Sequence, residues 1–181
     1  VAGLIREEIN CKNVYKDSLQ GDRAIVEIVQ RMGANLEIND KNIKVFPGKT
    51  KGTVIDVSQC PDIAPVLTVL AALSEGETRI INAERLRIKE SDRITSMRTE
   101  LNKLGADIRE EGDTLVINGV DELEGGVTVD SWNDHRVAMA LAIASIKCKN
   151  PILITGAGAV RKSYPNFWND FVSMGGKIGE I

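Results

Sequence analysis

The sequence is poor in the residues that most often announce a function. It has one histidine, His135, and three cysteines, Cys11, Cys60 and Cys148, with no CxxC spacing among its 181 residues. A zinc site needs several such ligands, so no metal is expected. An odd number of unpaired cysteines suits a reducing compartment, and a cytoplasmic setting is expected. Aromatic residues make up only 4% of the chain, and Trp132, Phe167 and Trp168 are too few and too separated to stack nucleic-acid bases. Basic residues are not in excess either. With 23 Lys and Arg against 26 Asp and Glu, the formal charge is −3, and a nucleic-acid partner is not expected. No apolar run reaches the ~18 residues of a membrane span, and no signal peptide is recognisable, so no membrane partner is expected. The first residue is Val1 rather than methionine, and "VAGLI" reads as the tail of an apolar helix. The chain is therefore expected to be a fragment.

What is present is an ordinary apolar fraction, 43%, arranged as a repeat. The length suits one domain over 1–181 with a real core, since roughly 70% of the unfolded surface is buried at about this size. "QRMGANLEINDKNIKVFPG" (30–48) and "NKLGADIREEGDTLVINGV" (102–120) share one pattern: a helix ending in Gly-Ala, a strand, a tight turn and a second strand. Gly33 and Gly105 are 72 residues apart, as are Asp62 and Asp134, and "FVSMGGKIGEI" (171–181) starts a third copy. Two kinds of helix alternate. "DRAIVEIVQRMG" (22–33) and "DRITSMRTELNKLG" (92–105) are amphipathic. "IAPVLTVLAAL" (63–73) and "HRVAMALAIASI" (135–146) are apolar nearly all round, which places them inside the domain. Strands are expected at "EEINCKNV", "EGETRIIN", "DTLVING", "VTVD" and "PILIT". The fold class that follows is α/β: repeated β-α-β-α-β-β units, nearly three of them, with buried helices and outer sheets.

The charged residues gather at helix starts. Asp62 heads one apolar helix and Asp134-His135-Arg136 the other. Lys89-Glu90-Ser91-Asp92-Arg93 heads an amphipathic helix, Gln20-Gly21-Asp22-Arg23 its first copy, and Lys162 precedes the third. An aspartate there is an ordinary N-cap, and Glu90 could be a capping partner. A cation at a helix start opposes the helix dipole. Combined with free backbone N–H groups, however, it makes an anion site. Repetition would bring these starts to one end of the domain, facing a common cleft for small, multiply charged anions. Two nucleotide motifs fail at "TGAGAVRKS" (155–163), because Arg161 stands where both require glycine.

At "LRIKESDRI" (86–94), "NDHRVAMALAIAS" (133–145) and "RKSYPNFWNDF" (161–171), with "LQGDRA" (19–24) and "CPDIAPVLTVLAAL" (60–73), the chain closely resembles the 5-enolpyruvylshikimate-3-phosphate synthase family over essentially its whole length. The K-E-[ST]-D-R and D-H-R blocks together separate this family from its relative, the UDP-N-acetylglucosamine enolpyruvyl transferases. The resemblance implies a two-domain enolpyruvyl transferase fold, of which 1–181 is the carboxy-terminal domain. It implies transfer of the enolpyruvyl group of phosphoenolpyruvate to the 5-hydroxyl of shikimate 3-phosphate, in aromatic amino acid biosynthesis, with no cofactor and with glyphosate as a competitor. It assigns Arg93 and Arg136 to the phosphoenolpyruvate carboxylate and Lys162 to the departing phosphate. Asp62 and Lys89 would contact the shikimate ring, with Asp62 a candidate base. Glu90 would exchange a proton at the methylene carbon, and Asp134 and His135 would support the others. Arg85 stands where some members have a ring-contacting Asn. The family's amino-terminal Lys, its Gly-Asn-x-Gly-Thr loop and an arginine and serine phosphate clamp have no counterpart here, so the missing amino-terminal domain is the expected partner. The chain alone is expected to fold, to be inactive and to be prone to self-association. The other readings carried forward are a nucleotide-sugar enolpyruvyl transferase and a non-catalytic anion-binding scaffold.

Overall fold

The computed structural model describes residues 1–15 and 17–179. Its middle third is a complete unit. Strand β4 (Val54–Asp56) leads through a short 3-10 turn (Pro61–Ile63) into helix α3 (Ala64–Ala72), then β5 (Glu77–Ile81), α4 (Arg93–Lys103), β6 (Asp107–Glu111) and β7 (Thr114–Asn118). The strands form one sheet in the order β4-β5-β7-β6, with β4 parallel to β5 and the other pairs antiparallel. The first unit has α1 (Ala2–Ile5), β1 (Ile9–Lys12), α2 (Ala24–Arg31), β2 (Leu36–Ile38) and β3 (Asn42–Val45), with sheet order β1-β3-β2. The third has β8 (Leu123–Gly125), β9 (Thr128–Asp130), α5 (His135–Ser145), β10 (Cys148–Asn150), β11 (Leu153–Thr155) and α6 (Phe167–Ser173).

The repeat shows in the backbone. Three helices end with a glycine in the left-handed region, Gly33 (φ 86°), Gly105 (φ 99°) and Gly175 (φ 90°). In each case the following N–H donates five residues back, Ala34 to Val29, Ala106 to Leu101 and Gly176 to Phe171. This is the Schellman closure, and only glycine enters it without steric cost. The residues that follow β1, β5 and β11 are likewise left-handed: Asn13, Asn82 and Gly156.

Helices α3 and α5 pack against each other at the centre, and α3 also meets α4, β5 and β7. Leu67, Leu70 and Leu141 are at most 1% exposed, each contributing ~1.5–3 kcal/mol by leaving water. Buried helices inside and sheets outside is the arrangement expected from the all-round apolar segments. Two features had no usable signal. β8 and β10 are three-residue strands, paired in parallel and separated from the parallel pair β9–β11 by Gly126-Val127 and Pro151-Ile152. The third unit departs from the repeat, because α6 is present but residues 177–179 form no strand, and residues 180 and 181 lie outside the described residues.

No helix among the described residues is long and apolar enough to cross a membrane. An apolar groove of about 470 Å³ lies between α2 and the first sheet, lined by Leu4, Ile25, Val29, Leu36, Ile43 and Val45. It contains neither the Lys89–Arg93 cluster nor Asp62, Asp134 or Arg136, so its apolar walls do not describe the charged site.

Candidate functional site

The site is assembled where α3, α4 and α5 begin. At α4, Asp92 is the N-cap: its Oδ1 accepts from the N–H groups of Ile94 and Thr95, both at 3.1 Å, and its Oδ2 from Thr95 Oγ1 at 2.9 Å. Just upstream, Arg87 holds the segment carrying Lys89 and Glu90 against the β6–β7 hairpin. Its guanidinium donates to Asp113 (2.8 Å), Glu110 (2.7 Å), the Gly112 carbonyl (2.7 Å) and Asp92 (3.2 Å). At α5, Asp134 is the N-cap and accepts from the Arg136 N–H at 2.8 Å. At α3, Asp62 lies inside the 3-10 turn and its side chain caps nothing. The plain N-cap reading therefore holds for Asp134 and fails for Asp62, and Glu90 makes no capping bond.

Arg93 is the centre. It is the first residue of α4 and only 1% exposed. Nε donates to Asp134 Oδ2 at 2.8 Å, Nη2 to Glu90 Oε2 at 2.6 Å and Nη1 to Asp62 Oδ1 at 3.0 Å. Asp62 is shared further: Lys89 Nζ stands 3.2 Å from Oδ1, and Arg136 reaches Oδ2 at 3.2 Å and the Asp62 carbonyl at 3.0 Å. Ser91 Oγ donates to Asp134 at 3.1 Å. His135 is 7% exposed, and its Nδ1 has no hydrogen-bond partner among the described residues, lying 3.8 Å from Glu90 Oε1. Lys162, on the turn Ala157–Lys162, donates to the Asn133 carbonyl at 2.5 Å.

The charges set the protonation states. Burial pushes the Asp62 carboxyl up, but the hydrogen bond from Lys89 and the charges of Arg136 and Lys89 outweigh it, and its pKa lies below the ordinary value. Asp134 behaves in the same way: burial raises it, and the Arg93 hydrogen bond and charge lower it further. Both are carboxylates at neutral pH. Asp62 in this arrangement is a weak base, and it gains basicity only when its cations turn to other anions. Arg93 has its Nε and both Nη atoms engaged by Asp134, Glu90 and Asp62. Three carboxylates (Asp62, Glu90, Asp134) face three cations (Lys89, Arg93, Arg136), and Lys162, held on the Asn133 carbonyl, adds a further positive charge.

The structure thus brings Asp62, Lys89, Glu90, Arg93, Asp134, His135 and Arg136 together, with Lys162 joined through Asn133. It does not bring in every helix start. Neither Asp22 nor Arg23 joins the network by an ion pair or side-chain hydrogen bond among the described residues. The first copy sits beside the connection that leads to Asp62, where a Cβ at Gly21 would touch the Gln59 carbonyl. Sequence reasoning missed Arg87, Ser91, Glu100 and Asn133. Glu100 had a signal: it lies seven residues from Arg93 and three from Met97, on the inward face of α4.

The description of the EPSP synthase family, 3-phosphoshikimate 1-carboxyvinyltransferase, matches residues 1–171. A 3-phosphoshikimate 1-carboxyvinyltransferase from Clostridium novyi is 56% identical over 180 residues, covering 99% of this chain and 41% of that protein. The protein of the same name from Clostridioides difficile is 52% identical over 179 residues, again 99% and 41%. The EPSP synthase structure from Acinetobacter baumannii superposes with a TM-score of 0.83 at 28% identity, over 95% of this chain and 43% of that one. The enolpyruvyl transferase NikO from Streptomyces tendae shares the fold, with a TM-score of 0.80 at 17% identity, over 97% and 41%. The chain spans about two-fifths of the length of the relatives it matches. A family match over nearly all its residues, joined to relatives at this identity, places the chain in the EPSP synthase family.

Proposed function

We propose that this chain is the carboxy-terminal domain of a two-domain transferase, and that it supplies half of a cytoplasmic active site. That site moves the enolpyruvyl group of phosphoenolpyruvate to the 5-hydroxyl of shikimate 3-phosphate and releases phosphate. The observation that carries the proposal is the convergence of three cations and three carboxylates on the starts of α3, α4 and α5. The relatives bear the name of this activity.

Arg93 and Arg136 would take the phosphoenolpyruvate carboxylate, a planar anion that suits guanidinium. Asp62, relieved of those cations, would accept the proton of the 5-hydroxyl as its oxygen bonds to the enol carbon. Glu90, with half of its side chain in solvent, would give a proton to the methylene carbon and take one back from the resulting methyl. The C–O bond to phosphate then breaks, and Lys162 would neutralise the departing anion. Lys89 would hold the shikimate ring, and Asp134 and His135 would support Arg93 and Glu90. A group that must act as acid and then as base works best when its environment balances burial against nearby cations.

The test is phosphate release from phosphoenolpyruvate with shikimate 3-phosphate, measured for this chain alone and for this chain mixed with the amino-terminal part of the same enzyme. Turnover only in the mixture supports the proposal. Turnover by the chain alone, or none from two folded parts, would overturn it.

A further inference from the structure

The segment between β9 and α5 carries an unusual backbone. Trp132 and Asn133 both lie in the left-handed region, each at φ 53°. Asparagine tolerates this conformation, whereas for a bulky residue such as tryptophan it is a genuine outlier. The equivalent connection in the second unit, from Asp56 to Asp62, is two residues longer and contains no positive φ. Both connections open with the same turn, Asp56 accepting from the Ser58 N–H and Asp130 from the Trp132 N–H. Only the shorter one is strained, and it ends on Asp134.

The strained conformation is held from outside. Glu100, on the inward face of α4 and 1% exposed, accepts from Trp132 Nε1 at 2.8 Å through Oε1. Its Oε2 accepts from the Asp130 N–H at 3.0 Å and from Lys103 Nζ at 2.7 Å. Ser131, fully buried, accepts from the Asn133 N–H and donates to the Gly156 carbonyl. A Cβ at Gly156 would collide with its hydroxyl. The flipped pair turns the Asn133 carbonyl towards Lys162 and delivers Asp134 to Arg93. One helix therefore grips both ends of the segment, Arg93 at its first residue and Glu100 two turns later.

We infer that Glu100 is a positioning residue: through Trp132 and the Asp130 amide it sets the left-handed Trp132–Asn133 pair, and so fixes where Asp134, Arg136 and the anchor of Lys162 stand. The kinetic consequence rests on the enolpyruvyl-transfer reading of the site. The geometric consequence does not. Glu100 touches no reacting group, and its effect reaches the site by way of a backbone that cannot hold this shape unaided.

Two measurements test this on Glu100→Gln and Trp132→Phe, the second of which removes the indole N–H together with part of the ring of a residue that is 37% exposed and lies outside the buried core. The first is the ¹H–¹⁵N spectrum of this chain, which has only two indole N–H groups, Trp132 and Trp168. Glu100→Gln should move the Trp132 indole resonance upfield and shift the amides of Asn133, Asp134 and His135, leaving those of β5 and β7 in place. Unmoved 133–135 amides in both variants would overturn the inference. The second is steady-state kinetics in the complete synthase containing this chain. There kcat/KM for phosphoenolpyruvate should fall about 10- to 100-fold, of the order expected for a small displacement at a reacting site, with the two substitutions together no worse than the stronger alone. A drop in melting temperature with kcat and KM unchanged would make Glu100 merely structural and overturn the inference. A wild-type synthase that turns nothing over would defeat the functional reading, while the spectra would still decide whether Glu100 positions the segment.

Discussion

Arg93 and Asp134 face each other at 2.8 Å, and neither side chain is more than 1% exposed. A buried pair of this kind is weak evidence of net stabilisation, because desolvation consumes much of its attraction, but breaking it leaves a charge without its partner. Asp134→Asn should therefore lower the unfolding free energy by about 3 kcal/mol, towards the low end for such losses because Glu90 and Asp62 still reach Arg93. Urea denaturation read by circular dichroism would show it. A change below ~1 kcal/mol would mean that the remaining carboxylates compensate fully.

Acid should destabilise the fold through the same residues. Asp134, Asp62 and Asp92 all lie below their ordinary value of 3.8: burial opposes this, and hydrogen bonds together with nearby cations prevail. A carboxyl depressed in the folded state contributes stability that is present above its unfolded pKa and lost as pH falls through the folded one. Melting temperature should thus stay level from pH 7 to about 5 and drop steeply below about 4. The drop should be shallower in Asp134→Asn.

Arg87→Lys should loosen the segment that carries Lys89 and Glu90. A lysine keeps the charge but cannot reach Asp113, Glu110, Asp92 and the Gly112 carbonyl with one ammonium. Because the arginine is nearly one-third exposed, we expect a modest loss of about 1–2 kcal/mol. Hydrogen exchange should become faster over 84–90, and calorimetry gives the free energy.

Cys148 should resist alkylation in the native state. Burial pushes its thiol up to about 11, and the thiolate is the reactive form. At pH 8, iodoacetamide should modify it far more slowly than a free small-molecule thiol, and guanidinium should abolish the difference. Equal rates in native and unfolded protein would show that the side chain is more accessible than its burial implies.

How legible was this molecule before its structure? Helices 63–73 and 135–146 could be placed because each is too apolar to have a solvent face, and the glycines at 33 and 105 marked where their neighbours end. The charged cluster was legible because lysine and arginine at a helix start are locally unfavourable and call for another explanation. The pairing inside the cluster was not. Nothing in the spacing says that Asp62 gathers Lys89, Arg93 and Arg136 at once rather than capping α3, since that depends on how three helix starts meet in space. The three-residue strands β8 and β10 lie below any useful period. Trp132 looked like a stray aromatic because backbone handedness is set by tertiary hydrogen bonds and leaves no mark on composition.

The uneven sheets have a consequence for how the molecule opens. β5 is flanked on both sides, whereas β1 and β11 each have a single neighbouring strand among the described residues. Amide protons of β5 and β7, with those of the enclosed α3, should be the last to exchange with deuterium, and those of β1 and β11 among the first. The second unit then behaves as the most persistent foldon. Since α4 and the segment just before it belong to this unit and carry Glu90, Arg93 and Glu100, that end of the charged cluster would keep its shape through partial openings, while Lys162, carried by the third unit, would come and go.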